Sequence, residues 1–571
     1  MSRKSRKAHK RTETAGSRDK DEMELKSLQR PSPPASLPRT TSIASSGPVL
    51  ILALVSFAVY FNALSGAFVY DDETQVVENP WIRDVSNIPT AFSKSVWSFH
   101  SAAIISNYYR PLMHSVYILT YQLFGLNPVG FHLVNILFHC GATVLVFLTI
   151  RRLLPGHQAT PAYLSAPFIA AILFASHPIH TEAVTWIAGL PDVAFTFFYL
   201  LSFYLYVESK TLLSRSYLFS LACFALAAFF KEPALTLPAI LFAYDCALRE
   251  ERFSLPDYAK RYIPYLAIGT GYLALRIHAL GGVAPHKRHA FLSSYQCVIN
   301  VFPLFCRYIE KLIFPTNLNA FYVFHPTTSL FQWKAFLPLL ATAVVVILAL
   351  VALKKSEAAF LGILFVTVPL LPVLYIPALG ENTFTDRYLY LPSVGYVFLL
   401  AVFLSWTEKK WPGAAKSIAV ALIALAGTYA IGTVSRNNVW QNSYNLWTDT
   451  VEKSPDSAMA HNNLGKVFRD RKMPDKAIEQ FQAAINLRPD YDDAHNNLGG
   501  VYGDLKMFDK ALGELQIAAT LNPNNESTHF NLGLLYCNIG MMENARKEFT
   551  KVLATKPDDQ ETQQLLREIS R

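Results

Sequence analysis

Charge is what this chain has least of. Only 16% of its 571 residues are Asp, Glu, Lys or Arg, against roughly 25% in ordinary soluble domains. With 52% hydrophobic residues, this excludes a chain that is soluble throughout. Cysteine is scarce as well. Cys140, Cys223 and Cys246 sit in apolar runs, Cys297 and Cys306 share one amphipathic stretch, and Cys537 lies in the C-terminal part. No disulfide framework and no metal-ligand spacing follows from them. A cleavable signal peptide is also lacking, because the basic region is too long and the apolar run from Val49 to Val69 is about 20 residues, enough to span.

Positive charge is spread unevenly, with 11 Lys or Arg in residues 1–47. Beside an apolar segment such a tail is a topology signal sooner than a nucleic-acid arm, and no nucleic-acid partner is expected. The tail is rich in Pro and Ser, lacks apolar periodicity, and is expected to be a disordered cytoplasmic segment. What the chain has in abundance is aromatic: 39 Phe and 28 Tyr, suited to lipid-facing helices with interfacial aromatic belts.

Eleven spanning candidates begin near residues 49, 129, 163, 190, 215, 233, 261, 333, 358, 388 and 415. The pair near 215 and 233 abuts at Lys231-Glu232-Pro233 and suggests a helical hairpin with a polar apex. The loops that this count assigns to the cytoplasm carry 13 Lys or Arg over about 47 positions, and the opposite loops about nine over roughly 130, as the positive-inside rule requires. The N-terminus is therefore expected inside and the C-terminus outside. Two apolar stretches interrupted by polar groups, Arg110 to Gly125 and Tyr295 to Phe314, are expected to lie in the outer interface.

Beyond residue 440 the composition turns soluble and a repeat appears. Asn-Asn-Leu-Gly at 462–465 recurs at 496–499, with Phe530-Asn531-Leu532-Gly533 as a third copy, while Pro455, Pro489, Pro523 and Pro557 and Ala477, Ala511 and Ala545 keep a spacing of 34. That period, with Leu-Gly early, Ala central and Pro between units, is the tetratricopeptide (TPR) pattern of stacked helical hairpins. Such arrays hold peptides or proteins on a concave face.

The ionisable residues that are costly near membrane depth all fall on the outer side, and such groups mark function by default. The first outer loop carries Asp71-Asp72 and Tyr108-Tyr109-Arg110. Later loops carry His177-Pro178-Ile179-His180-Thr181-Glu182, Asp192, Lys231-Glu232 and Asp386-Arg387-Tyr388. His-Pro-Ile-His lacks the i, i+4 spacing of a helical zinc motif. A carboxylate beside cations on one aqueous face suits transfer of a group from a lipid phosphate, the acid activating a hydroxyl and Arg or Lys holding the phosphate.

This combination resembles the TMTC family of transmembrane and tetratricopeptide-containing protein O-mannosyltransferases, which belong to the GT-C glycosyltransferases. The resemblance rests on the aspartate pair after one span, Tyr-Arg-Pro-Leu, His-Pro-x-His-Thr-Glu followed by Pro-Asp, the Lys-Glu apex and the closing repeats. It implies an all-α chain with a GT-C-type polytopic bundle of about 11 spans over 48–435, an outer loop at 70–128, and a TPR solenoid of about three repeats over 440–571. It implies a sugar, mannose by the family's habit, moved from a polyprenyl-phosphate donor to Ser or Thr hydroxyls of a protein held by the repeats, on the periplasmic or endoplasmic reticulum lumenal side. Asp71 or Asp72 would be the base, with Asp72 slightly preferred. Sidedness and charge, not the family motif, make Arg110, Lys231 and Arg387 the candidates for holding the donor phosphate and Tyr109, His177, His180, Glu182, Asp192 and Glu232 those for the cavity wall. No cofactor is fixed, and a divalent metal stays open. Partners are the lipid-linked donor, the protein acceptor and membrane lipid. A lipid or polysaccharide transferase, and a non-enzymatic membrane-anchored TPR scaffold, are the competing readings. The short repeat array and the long basic tail depart from the animal members.

Overall fold

Helix is the sole regular secondary structure among the described residues. Long apolar runs demand this in lipid, where only bonding within the segment satisfies every backbone group. The computed structural model describes residues 46–99, 106–154, 162–249, 254–282, 289 and 291–569. Apart from Ser46 and Gly47, the tail expected to be disordered lies outside the described residues, and residues 48–571 form a unit of their own.

The apolar part runs through α1 (Ser46–Val59), α2 (Pro111–Phe124), α3 (Pro128–Leu153), α4 (Ala166–Ser176), α5 (Leu190–Glu208), α6 (Arg215–Phe230), α7 (Leu237–Ala247), α8 (Leu255–Leu280), α9 (Ser294–Ile313), α10 (Trp333–Lys355), α11 (Glu357–Thr367), α12 (Pro392–Lys410) and α13 (Pro412–Asn437). A helix stands at each of the eleven expected positions, and α2 and α9 occupy the two stretches set aside as interfacial. By length and composition, five helical stretches are able to cross a membrane: α3, Ile187–Glu208 with α5, α10, Glu357–Leu374 with α11, and Pro412–Gln441 with α13. Helices α1, α4 and α6 are apolar but shorter.

Burial sorts these helices. The 23 residues of α10 make a helix about 35 Å long, longer than the ~30 Å hydrocarbon core. Only 6% of its apolar window is buried, against 72% for the window containing α5, so α10 faces lipid while α5 is central. Small residues bring the inner helices together, as lipid-embedded packing favours. Ser202 on α5 and Ser220 on α6 each donate to the other's carbonyl oxygen, at 2.7 and 2.6 Å. A Cβ on Gly395 of α12 would stand 2.6 Å from the carbonyl oxygen of Gly362 on α11, so these two helices touch backbone to backbone.

The chain breaks at Lys231-Glu232-Pro233, but α6 and α7 do not form the expected hairpin. Helix α6 packs along α5 while α7 packs chiefly on α11. Lys231 is extended (φ −160°, ψ 141°), since Pro233 disfavours continued helix and the Lys231 side chain is drawn to α5 by Asp192.

The repeats follow as α14 (Ser443–Lys453), α15 (Ala458–Asp470), α16 (Pro474–Leu487), α17 (Asp492–Asp504), α18 (Phe508–Leu521), α19 (Glu526–Asn538), α20 (Met542–Thr555) and α21 (Gln560–Glu568). Three hairpins, α15/α16, α17/α18 and α19/α20, carry the three copies. Their signature residues are steric: a Cβ on Gly465, Gly499 or Gly533 would meet Phe481, Leu515 or Phe549 at 2.5–2.6 Å, and Ala477, Ala511 and Ala545 are fully buried.

Candidate active site between the helical bundle and the repeat array

The two adjacent acids turn opposite ways. Asp72 is fully buried and accepts hydrogen bonds from the backbone N–H of Val69 (3.1 Å) and of Ala188 (2.8 Å), tying the stretch after α1 to the turn before α5. Burial holds its carboxyl well above the usual carboxylate range, and those two N–H donors oppose the rise only in part. Asp71 instead lines a cavity of about 280 Å³, close to the ~300 Å³ at which small-ligand pockets begin. Among the described residues it has no hydrogen-bond or ion-pair partner. Desolvation raises its pKa to about 6, against the nearby guanidinium charges of Arg387 and Arg110, which lower it.

Tyr70 sets this divergence. It takes a left-handed backbone conformation (φ 57°), uncommon for a residue with a side chain. Its ring stacks on Trp186 at 5.6 Å and meets Trp447 edge-on at 5.1 Å. Trp447 belongs to α14, so a single ring joins the bundle, the site and the repeats.

Two arginines face the cavity with Asp71. The stretch before α2 has no regular secondary structure. Tyr108 and Arg110 line the cavity, while Tyr109 is fully buried and donates its hydroxyl to the Phe92 carbonyl at 2.7 Å. Arg110 lies 4.7 Å over the Tyr108 ring, and its Nε is buried without a hydrogen-bond partner. Arg387 is anchored from behind: its Nη1 pairs with Glu182 Oε1, its backbone N–H donates to Glu182 Oε2 at 3.0 Å, and its Nε stands 3.9 Å from Asp192. The guanidinium lies over Trp186 and Tyr388, at 5.1 and 5.4 Å. Burial raises the Glu182 pKa and Arg387 opposes that rise. Asp386, which accepts a 2.9 Å hydrogen bond from Tyr322, is lifted by burial and by Glu182 to about 7.

The other expected site residues stand behind this wall. Lys231 is not on the cavity. Its ammonium bonds Asp192 at 2.5 Å with both side chains 3% exposed, lies 4.6 Å from the Tyr388 ring centre, and has its pKa lowered by burial to about 8. Tyr109, His177, His180, Glu182, Asp192 and Glu232 likewise do not line this cavity. His177 faces the Leu312 carbonyl at 3.2 Å and His180 faces the Ser393 hydroxyl at 2.8 Å, both fully buried. Glu232 pairs with Arg276 at 3.6 Å. The physical reason is common to all: each is consumed by a neighbour in packing the loops. Among the described residues no group of three His, Cys, Asp or Glu side chains is arranged to hold a metal.

The wall also contains Met459, from α15, which the sequence reasoning did not single out, and Tyr70, Tyr388 and Glu381, to which it assigned no role. Tyr388 adjoins Arg387 and was signalled only by the aromatic beside the charge. Glu381 pairs with Arg488 of the repeats at 2.7 Å, and Met459 carried no signal at all.

A bundle of apolar helices with a polar cavity at one end, closed by a TPR array, defines a multi-pass membrane protein with a built-in repeat domain. Family models described as TPR repeat and Tetratricopeptide repeat match residues 467–506 and 526–559. The resemblance to the TMTC family is borne out along most of the chain. A protein O-mannosyl-transferase of Caenorhabditis elegans is 28% identical over 448 residues, covering 77% of this chain and 62% of that protein. Human protein O-mannosyl-transferase TMTC1 is 28% identical over 512 residues, covering 79% of this chain and 56% of that one. The chain thus spans a little over half of the length of the curated relatives it matches. ArnT from Cupriavidus metallidurans, solved bound to undecaprenyl phosphate, aligns over 84% of this chain and 81% of that one at 14% identity, with a TM-score of 0.36, too weak a likeness to carry an argument.

Proposed function

We propose that the chain is a glycosyltransferase of the GT-C kind that moves a sugar, mannose in the relatives' names, from a polyprenyl-phosphate donor to a Ser or Thr hydroxyl of a protein on the non-cytoplasmic side. The observation that carries this reading is the cavity's pairing of an unpartnered Asp71 with Arg110, whose buried Nε also lacks a partner. A carboxylate and a guanidinium held apart in one cavity await a ligand that brings both a hydroxyl and an anion.

In the proposed step Asp71 accepts the proton of the acceptor hydroxyl as its oxygen attacks the anomeric carbon. The bond from that carbon to the phosphate oxygen breaks, the polyprenyl phosphate leaves with the electron pair, and Arg110 with Arg387 holds its charge. Attack opposite the leaving group inverts the anomeric centre, and Asp71 then releases its proton to water. Asp72 is a positioning residue in this reading, holding the loop through Val69 and Ala188, and Lys231 positions Asp192 behind Arg387. The geometry thus favours Asp71 as the base over the Asp72 that the resemblance slightly preferred.

Purified protein reconstituted with polyprenyl-phosphate mannose and a Thr-containing peptide tests this. Asp71→Asn is expected to lower transfer by about 10²- to 10⁴-fold, the usual range for a lost general base, while the protein still inserts and melts cooperatively. Transfer undiminished in Asp71→Asn would remove the reading.

A further inference from the structure

Gln75 lines the cavity one helical turn after Asp71 and is only 4% exposed. Its Oε1 is buried without a hydrogen-bond partner, and among the described residues its side-chain amide makes no hydrogen bond at all. Two other neutral amides line the same cavity, and both are tied to the wall. Asn107 donates to the Ala378 carbonyl at 3.2 Å, and Asn382 donates to the Ala320 carbonyl at 3.1 Å while accepting from the Tyr322 N–H at 3.4 Å. An unsatisfied buried amide costs stability, so its retention in a fold calls for a reason.

The backbone beneath Gln75 is held on both sides. Glu73–Val77 is a single π turn, closed by a 2.8 Å bond from the Glu78 N–H to the Glu73 carbonyl, and such turns occur frequently at functional sites. Asp72 anchors the front of the turn through Val69 and Ala188. Behind it Asn79, fully buried, donates to the Gln75 carbonyl at 3.0 Å.

Place and chemistry narrow what the amide meets. Tyr70 and Met459 line both the cavity and an open groove of about 700 Å³ on the concave face of the repeats. Gln75 lines neither that groove nor the hollow beside it that includes Phe321 and Glu381, so its ligand lies inside the cavity with the reacting atoms. An ionised phosphate presents acceptors, which Arg110 and Arg387 meet with donors. A neutral hydroxyl both donates and accepts, and a carboxamide complements two of them side by side: its oxygen accepts from one while its nitrogen donates to the next. Exchanging the O and N assignments leaves this match intact. An amino sugar or a sugar acid would bring a charge for which Gln75 offers no counter-charge.

We infer that Gln75 is a specificity-determining residue that binds two neighbouring hydroxyls of a neutral sugar on the donor, and so turns its anomeric carbon toward the hydroxyl that Asp71 deprotonates. The inference rests on the proposed transfer reaction for the identity of its ligand.

The test is donor binding to the full-length protein in nanodiscs, with no acceptor present, comparing polyprenyl-phosphate mannose with bare polyprenyl phosphate. Gln75→Met keeps an unbranched side chain that fills the same space and removes its hydrogen bonds. It should weaken binding of the mannosyl lipid at least about tenfold, the loss of two hydrogen bonds of ordinary net strength, and leave the bare lipid within about twofold. A merely structural role would move both lipids together. Mannosyl donors lacking the 2-, 3- or 4-hydroxyl give a second measurement, made on the unaltered protein. Removing a hydroxyl that Gln75 holds should weaken binding about fivefold, and Gln75→Met should then add little to that loss. Equal losses for the two lipids in Gln75→Met, or an unaltered protein indifferent to all three deoxy donors, would each overturn the inference. Selective loss of the mannosyl lipid in a protein that transfers sugar to no acceptor would instead overturn the reaction and leave the assignment of Gln75 standing.

Discussion

Asp71 costs the fold something in the state that the chemistry needs. With a folded pKa of about 6 against an ordinary 3.8, the native state holds a proton between those pH values that the unfolded chain has released. Stability linked to this group is therefore fully present below pH 3.8 and declines as pH rises through about 6. Two readouts follow with opposite signs. Transfer should rise with pH through about 6 and level off above it, because the base must be ionised. Asp71→Asn should raise stability at pH 7 by on the order of 3 kcal/mol, read as a higher melting temperature, while abolishing that pH profile. A flat profile between pH 5 and 7, or an Asp71→Asn protein less stable than its parent, would separate Asp71 from the role. Its neighbour Tyr70 accepts a left-handed backbone, a local cost that strained functional residues characteristically carry, and Trp186 and Trp447 hold it there.

The loops around the cavity are tied together by charges that neutralise one another out of water. Lys231, Asp192, Arg387 and Glu182 form a chain of contacts behind the cavity. Removing one member of a buried pair strands the other, typically at a cost of about 3–5 kcal/mol. Lys231→Met should destabilise by about that amount, and adding Asp192→Leu should recover most of it in thermal melts of the double variant; equal destabilisation in both would mean that the two do not act as a pair. The helices themselves were legible in the sequence, since a run of apolar residues or a 34-residue period is local information, and helices stand at every position so marked. The side on which Asp71 and Asp72 face was not. It depends on the hydrogen bond from Ala188 to Asp72, 116 positions along the chain. Charges were legible as a set on one face, but which of them were free for a ligand depended on partners such as Asp192 for Lys231, which no spacing rule pairs.

At the scale of the whole molecule, the repeats are not an appendage that can be removed at residue 440. Trp440 and Trp447 share a core with Val69 and Trp186 of the bundle, Trp440 stacking on Trp186 at 5.5 Å. Arg436 on α13 pairs with Asp449 on α14 at 2.5 Å. Lys453 donates to the Leu318 carbonyl at 2.8 Å, and Ser454 bonds both Asn319 and Phe321. A chain cut at 439 would expose those tryptophan contacts and leave Asn319 and Arg436 without these partners inside the loops that shape the cavity. A chain cut after Asp456 keeps all of these bonds and loses Met459 and the three repeat hairpins. The second truncation should therefore insert and melt near the parent, whereas the first should be less stable by several kcal/mol, the usual consequence of stranding buried polar groups and emptying a core. The same pair separates the acceptor classes. If the groove delivers a polypeptide, the chain ending at 456 should lose transfer to peptides at dilute concentration and regain part of it as peptide is raised, because the array's contribution is effective concentration at the Asp71 cavity. Transfer to a lipid acceptor, unchanged in the 456 truncation and absent for peptides even in the intact chain, would assign the acceptor to the membrane instead.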